Sequence, residues 1–123
     1  MNSIAEPIEA TPWPSVLVPA YNAAAYLGEC VESVLAQGIE GVELVVVDDC
    51  SNDASAAILT QLATRWPKGF RVQRHARNRG LSSARNTLLE AARGEYLWFL
   101  DADDKLLPGV LGALRDIVQT DAP

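Results

Sequence analysis

Cysteine and histidine are scarce in this 123-residue chain, which has two of the first, Cys30 and Cys50, and one of the second, His75. Two cysteines, with no basic start and apolar stretch of signal-peptide length after Met1, make no disulfide framework. Both are expected as reduced thiols, and the compartment as cytoplasmic. Long apolar runs are absent: none approaches the ~18 residues that cross a bilayer, so no membrane span is expected in the chain. A basic excess is missing as well, with 10 Lys and Arg against 16 Asp and Glu and a net charge of -6. General nucleic-acid binding, which needs cationic surface to displace counterions from phosphates, is therefore not expected. No G-x-G-x-x-G follows a strand, which removes the phosphate loop of a dinucleotide dehydrogenase. Internal repeats and low-complexity tracts are lacking.

What is present is a composition 49% apolar and 21% charged, that of a globular chain with room for one domain. Residues 1–14 carry Pro7, Pro12 and Pro14 among small and acidic residues and read as a flexible leader. From Ser15 a strand-then-helix alternation sets in, which predicts an α/β fold with a mostly parallel sheet flanked by helices. Val16 to Val18 is a short buried strand broken by Pro19. Leu27, Cys30, Val31, Val34 and Leu35 follow at helical spacing, with Gly38 beyond the helix end. Glu43 to Val47 is a strand apolar enough to be covered on both faces, and it stops at Asp48-Asp49. Ser51 and Asp53 are N-cap candidates for a helix bearing Ile58, Leu59, Leu62 and Trp66, closed by the turn at Pro67 to Gly69. Phe70 to Arg74 alternates like a strand nearer an edge. A helix with Leu81, Ala84, Leu88, Leu89 and Ala92 inward ends at Gly94. Tyr96 to Leu100 is a fourth buried strand, terminating at Asp101, and a last helix runs from about Pro108 to Thr120.

Ligands of open parallel sheets sit at the carboxyl ends of the strands. Three of these strands end in polar residues: Tyr21-Asn22, Asp48-Asp49 and Asp101/Asp103. In an extended segment Asp101 and Asp103 point one way and Ala102 and Asp104 the other. Two carboxylates on one side make a hard oxygen site suited to Mg²⁺ or Mn²⁺, which leave positions for phosphate oxygens and water. A lone D-x-D equally well caps the next helix. Of the acidic pair, a carboxylate could accept from a base N–H or a ribose hydroxyl, or could serve the turn. Tyr21 offers an aromatic face, or simple packing. His75 reads as a solvated edge-strand residue. Arg71, Arg74, Arg77 and Arg79 read as surface decoration, whereas Arg85, in the first turns of a helix, can reach toward the strand ends. Gly80 before that helix permits an unusual backbone angle.

Taken together, Val16 to Asn22, Val45 to Asp53, the segment Asn78 to Asn86 with its A-R-N, and Gly94-Glu95-Tyr96 leading to Asp101-Ala102-Asp103-Asp104 closely resemble family 2 glycosyltransferases of the GT-A fold. Each motif is weak singly; four in this order and spacing are specific. The resemblance covers residues 15 to 120. It implies a GT-A, Rossmann-like fold, of which residues 15–123 are the nucleotide-sugar-binding half, a partial domain. It also implies that Tyr21 and Asp49 contact the nucleobase, that Pro19 and Ala20 lend backbone contacts near it, and that Arg85 faces the nucleotide. Asp103 would touch the metal, and Asp101 the ribose or a metal-bound water. The implied donor is a UDP- or other nucleoside-diphosphate sugar, transferred with inversion to an acceptor hydroxyl of a saccharide or lipid-linked molecule. In that family the catalytic base lies downstream of the D-x-D strand, and this chain ends about twenty residues past Asp103. No catalytic residue is therefore expected within it, whether it is a fragment or a natural truncation.

A non-catalytic nucleotide-binding module is the alternative. A receiver-type phosphoacceptor domain is a further alternative, although a response-regulator receiver needs its acidic pair after the first strand and a lysine after the last. A haloacid-dehalogenase phosphatase carries D-x-D at its first strand. Neither arrangement occurs here.

Overall fold

The computed structural model describes residues 11–38 and 40–121. Its elements alternate: β1 (Pro14–Ala20), α1 (Ala24–Leu35), β2 (Glu43–Asp48), α2 (Ser55–Arg65), β3 (Phe70–Arg74), α3 (Leu81–Ala91), β4 (Tyr96–Phe99) and α4 (Val110–Asp121). The four strands form one sheet in the order β3-β2-β1-β4, and every pairing is parallel. The chain thus steps outward from β1 to β3, then crosses back through α3 to the far side of β1. That reversal places a switch point between β1 and β4, where the carboxyl ends of the strands open into a crevice.

Alternation along the two central strands divides the core between the faces. Val16, Val18, Leu44 and Val46 pack with Leu27, Val31 and Val34 of α1, Leu59 and Leu62 of α2, and Leu111 of α4. On the other face Leu17, Val45 and Val47 meet only Ala84 and Leu88 of α3 among the buried residues. One layer is therefore thick and the other thin. Each fully buried Val or Leu stabilises by roughly 1.5–3 kcal/mol, so most of the hydrophobic stabilisation lies on the α1/α2/α4 face.

Three expectations need correction. Pro19 does not break the first strand, which continues to Ala20. Leu17 C=O accepts from Leu100 N, on the β4 side, and Ala20 C=O accepts from Asp49 N, on the β2 side. By alternation Pro19 faces β4, beyond the last β1–β4 pair, Leu17 with Phe99, where no N–H is required. The fourth strand is not buried: Tyr96 and Leu97 are about half exposed, because β4 pairs with β1 alone and α3 packs over β1 and β2 instead. Leu81 and Leu89 of α3 are likewise exposed. The expected leader, residues 1–14, lies outside the described residues through position 10. Its end is anchored, however, for Trp13 N donates to Gly41 O and Pro14 opens β1.

At the amino ends of the strands a buried polar network ties the thin layer down. Glu43 accepts from Ser15 Oγ (2.6 Å), from an Arg71 guanidinium N–H (2.7 Å) and from Arg93 N (2.8 Å), while Ser15 Oγ accepts from Gly94 N. Glycine at 94 is a steric requirement, since a Cβ there would lie 2.6 Å from Ser15 N. Burial opposes ionisation of Glu43, but the Ser15, Arg93 and Arg71 hydrogen bonds outweigh it and hold the carboxyl below its usual value. Arg71 is thus a structural partner and not surface decoration.

Candidate functional site

Two loops, 21–23 after β1 and 49–54 after β2, are laced together at the carboxyl edge. Asn22 N donates to Ser51 Oγ (2.9 Å) and Asn52 N to Asn22 Oδ1 (2.9 Å). Asn22 adopts φ 50, a left-handed conformation that asparagine tolerates better than most residues. The first turn of α1 has no side-chain cap of its own; instead Ala23 N donates to Ser55 Oγ and Ala24 N to Asp53 Oδ2. Asp53 Oδ1 also accepts from Ser55 N, so one carboxylate serves the starts of two helices, although the N-cap position of α2 is Ala54 and not Asp53 as expected. Ser51 is committed elsewhere, donating to Asp48 Oδ1.

The acidic pair divides its work. Asp48 is buried and takes the Arg74 Nε–H at 3.1 Å, so Arg74 too is a structural partner. Asp49 turns the other way. Its Oδ1 lies 2.7 Å from His75 Nδ1 and accepts from Arg79 N (2.8 Å), and its Oδ2 accepts from Gly80 N (2.8 Å). Burial would raise this carboxyl, but the His75 hydrogen bond and the two backbone N–H groups outweigh it and leave it lowered. Gly80 presents its N–H at φ 90, a backbone state that favours glycine.

His75 was expected on a solvated edge and is buried, 7% exposed, with Nε2 2.8 Å from Thr87 Oγ1. Pattern could not have found it, because the residue just past a strand end can face either way.

Pro19, Ala20, Tyr21 and Asp49 line a cavity of about 250 Å³ together with Asn78 and Gly80. A neighbouring cavity of about 340 Å³ shares Pro19 and Tyr21 and is walled by Asp101 and Asp103. Tyr21, 48% exposed, stands between the two. Asn78, to which the sequence reading gave no role, also donates from Nδ2 to Asp49 O. Arg85 lines neither cavity; its guanidinium lies 6.0 Å from the centroid of the Phe99 ring.

Asp101 to Asp104 form a turn and not an extended segment, closed by Asp104 N donating to Asp101 O (2.9 Å). The expected alternation therefore fails in one respect: Ala102 is buried, while Asp101, Asp103 and also Asp104 offer oxygens within 4.8 Å of one another. Such a set of exposed carboxylates fits a hard divalent cation. Beneath it the Cys30 thiol donates to Asp101 O. Burial, then the Asp104, Asp103 and Asp101 carboxylates, push its pKa up to about 12, so it offers no thiolate to a metal.

A parallel sheet of this order, with an acidic turn at the carboxyl end of the strand that follows the crossover, fits the GT-A class of α/β fold, to which the similar solved structures belong. The chain belongs to glycosyl transferase family 2, whose sequence profile matches residues 15–122. It is 43% identical over 93 residues to the uncharacterized glycosyltransferase EpsJ of Bacillus subtilis, covering 76% of this chain and 26% of EpsJ. The fold is similar to that of residues 1–349 of S. aureus TarS in complex with UDP-GlcNAc (TM-score 0.80, 32% identity, 88% of this chain and 31% of that one). It is also similar to the mannosyltransferase PcManGT from Pyrobaculum calidifontis in complex with GDP-Man and Mn²⁺ (TM-score 0.78, 27% identity, 89% of this chain and 33% of that one). The chain thus spans about a quarter of EpsJ and about a third of each of the two solved chains. Among the described residues no helix is long and apolar enough to cross a membrane.

Proposed function

We propose that residues 15–123 form the donor-binding half of an inverting glycosyltransferase that holds a nucleoside-diphosphate sugar and transfers its hexosyl group to an acceptor hydroxyl of a saccharide or lipid-linked molecule. One observation carries the reading: two adjoining cavities share Tyr21, one with an acceptor carboxylate and the other with an acidic turn. In this reading the base lies against Tyr21 and the Pro19-Ala20 backbone, with Asp49 accepting its N–H. Asp101 reaches the ribose or a metal-bound water, and Arg85 swings from Phe99 toward the nucleotide. Asp103 holds Mg²⁺ or Mn²⁺, with Asp104 beside it. The donor complexes of TarS and PcManGT, and the Mn²⁺ of the latter, support it. Two free cysteines are compatible with a cytoplasmic setting.

Bond breaking at the anomeric carbon leaves charge on the departing diphosphate, and a divalent cation supplies Lewis-acid stabilisation of that charge when bound. The chain's own residues bind and orient the donor: Tyr21 and Asp49 fix the base, and the 101–104 turn fixes the diphosphate end. None of them takes the acceptor's proton, a task for a positioned base. The isolated chain is accordingly expected to bind donor nucleotide while transferring little sugar.

Calorimetric titration with UDP and GDP, each with and without Mn²⁺, tests this. Binding of one nucleotide should depend on Mn²⁺ and weaken at least about tenfold in Asp103→Ala, the worth of one charge-assisted contact. Metal-independent binding unchanged by that substitution, or robust transfer by the isolated chain, would overturn the reading.

A further inference from the structure

The buried histidine lies just past the end of β3, and both of its ring nitrogens are engaged. Nδ1 lies 2.7 Å from Asp49 Oδ1 and Nε2 2.8 Å from Thr87 Oγ1. An ionised carboxylate only accepts, so Nδ1 carries the proton toward Asp49. The Thr87 hydroxyl has one proton for two acceptors, His75 Nε2 and Ser83 O at 3.1 Å. Either choice leaves the Nδ1–H on Asp49 in place, because the ring donates from Nδ1 whether or not Nε2 is also protonated. Three donors then act on Asp49: His75 Nδ1 and Arg79 N on Oδ1, and Gly80 N on Oδ2. A carboxylate has about four acceptor sites, so one remains, on Oδ2, for an occupant of the cavity that Asp49 lines.

We propose that His75 is a positioning residue of the base subsite: clamped by Thr87, it locks Asp49 as an acceptor with one open site, and thereby selects bases presenting a ring N–H. Uracil and guanine present that donor; cytosine and adenine present a bare ring nitrogen at the corresponding edge, which would face a carboxylate lone pair. A buried acceptor left facing another acceptor loses its hydrogen bond and keeps its desolvation cost. A locked carboxylate cannot rotate or take up a proton cheaply to accommodate the wrong edge, whereas a free one could. This inference rests on the donor-site reading, and it deepens that reading by naming the base class and the group that enforces it.

The test measures affinity of the 123-residue chain for UDP, GDP, CDP and ADP at fixed Mn²⁺, in the unchanged protein and in His75→Phe, His75→Asn and Thr87→Val. The unchanged chain should favour UDP or GDP over both CDP and ADP by at least about tenfold. Phenylalanine keeps the packing without the donor and should lower the preferred affinity and narrow the base ratio. Asparagine, whose amide can replace the Nδ1–H, should restore most of both. His75→Phe with unchanged affinity and ratio overturns the inference and leaves the donor-site reading standing; an unchanged chain that binds none of the four nucleotides overturns both. Should His75→Phe fail to fold, Thr87→Val reads the clamp from its other end, with the same narrowing expected. Because His75 is the only histidine, its ring nitrogen NMR signals need no variant at all. A protonated Nδ1 that shifts on UDP or GDP addition supports the clamp, and an unprotonated Nδ1 overturns it.

Discussion

Adjacent aspartates with opposite duties show how little residue type alone decides at a strand end. Asp48 points into the edge and is consumed by Ser51 and Arg74, whereas Asp49 faces a cavity with its carboxylate held by His75 and two backbone N–H groups. Asp48→Ala should lower stability by about 2 kcal/mol by stranding its partners, readable as a shift in the urea midpoint, with nucleotide affinity preserved in the folded fraction. Asp49→Ala should do the converse on affinity, reducing it at least about tenfold. The cysteines separate as well. Cys30 is fully buried with a thiol pushed up to about 12, and only the thiolate reacts. Iodoacetamide at neutral pH should leave Cys30 unmodified until denaturant is added, which peptide mass mapping will show. That Asp49 and Asp103 line cavities at the carboxyl edge was legible in the sequence, because both follow strand ends. His75 and Asn78 were not, since their roles depend on which way a loop turns after β3.

Among the elements, α3 carries more responsibility than its burial suggests. It covers one face of β1 and β2 with Ala84 and Leu88 alone as fully buried side chains, while Gly80 at its N-cap donates to Asp49 and its Thr87 meets His75. Leu88→Ala should cost about 3 kcal/mol, measured by chemical unfolding, because no neighbouring side chain stands ready to fill the void in so thin a layer. The helical repeat predicted this helix correctly, yet it also placed Leu81 and Leu89 inward. A stripe of leucines gives the period of a helix but not the width of sheet beneath it. The same limit explains β4: an uninterrupted apolar run reads as a buried strand, but burial depends on which helix crosses above it, and α3 crosses β1 and β2. The central strands, by contrast, were legible apart from the end of β1 beyond Val18, since apolar runs such as Val16 to Val18 and Leu44 to Val47 survive only when covered on both sides.

For the molecule as a whole, ionised carboxylates with lowered pKa values lie at both ends of the sheet, Glu43 at the amino ends and Asp49 at the carboxyl ends. In each the unfolded chain binds protons more readily than the folded one, so stability rises with pH through the carboxylate range. Their stabilisation should be complete well above the ordinary values of 4.5 for Glu43 and 3.8 for Asp49, and should drain away as pH falls below them. Thermal melts from pH 7 to pH 3 should show a falling midpoint over the acidic half of that range, and Glu43→Gln should flatten part of the slope. An unchanged midpoint down to pH 3 would contradict the assignment.

Tyr21 is a party wall. Whatever leans on one side of the ring sets where its other side can rest, so under the proposed donor-site reading swapping one nucleotide base for another cannot be tuned in isolation from the grip on the diphosphate next door. Attempts to retrain this chain toward a new donor by mutating either compartment singly should therefore meet epistasis that runs through this one aromatic side chain.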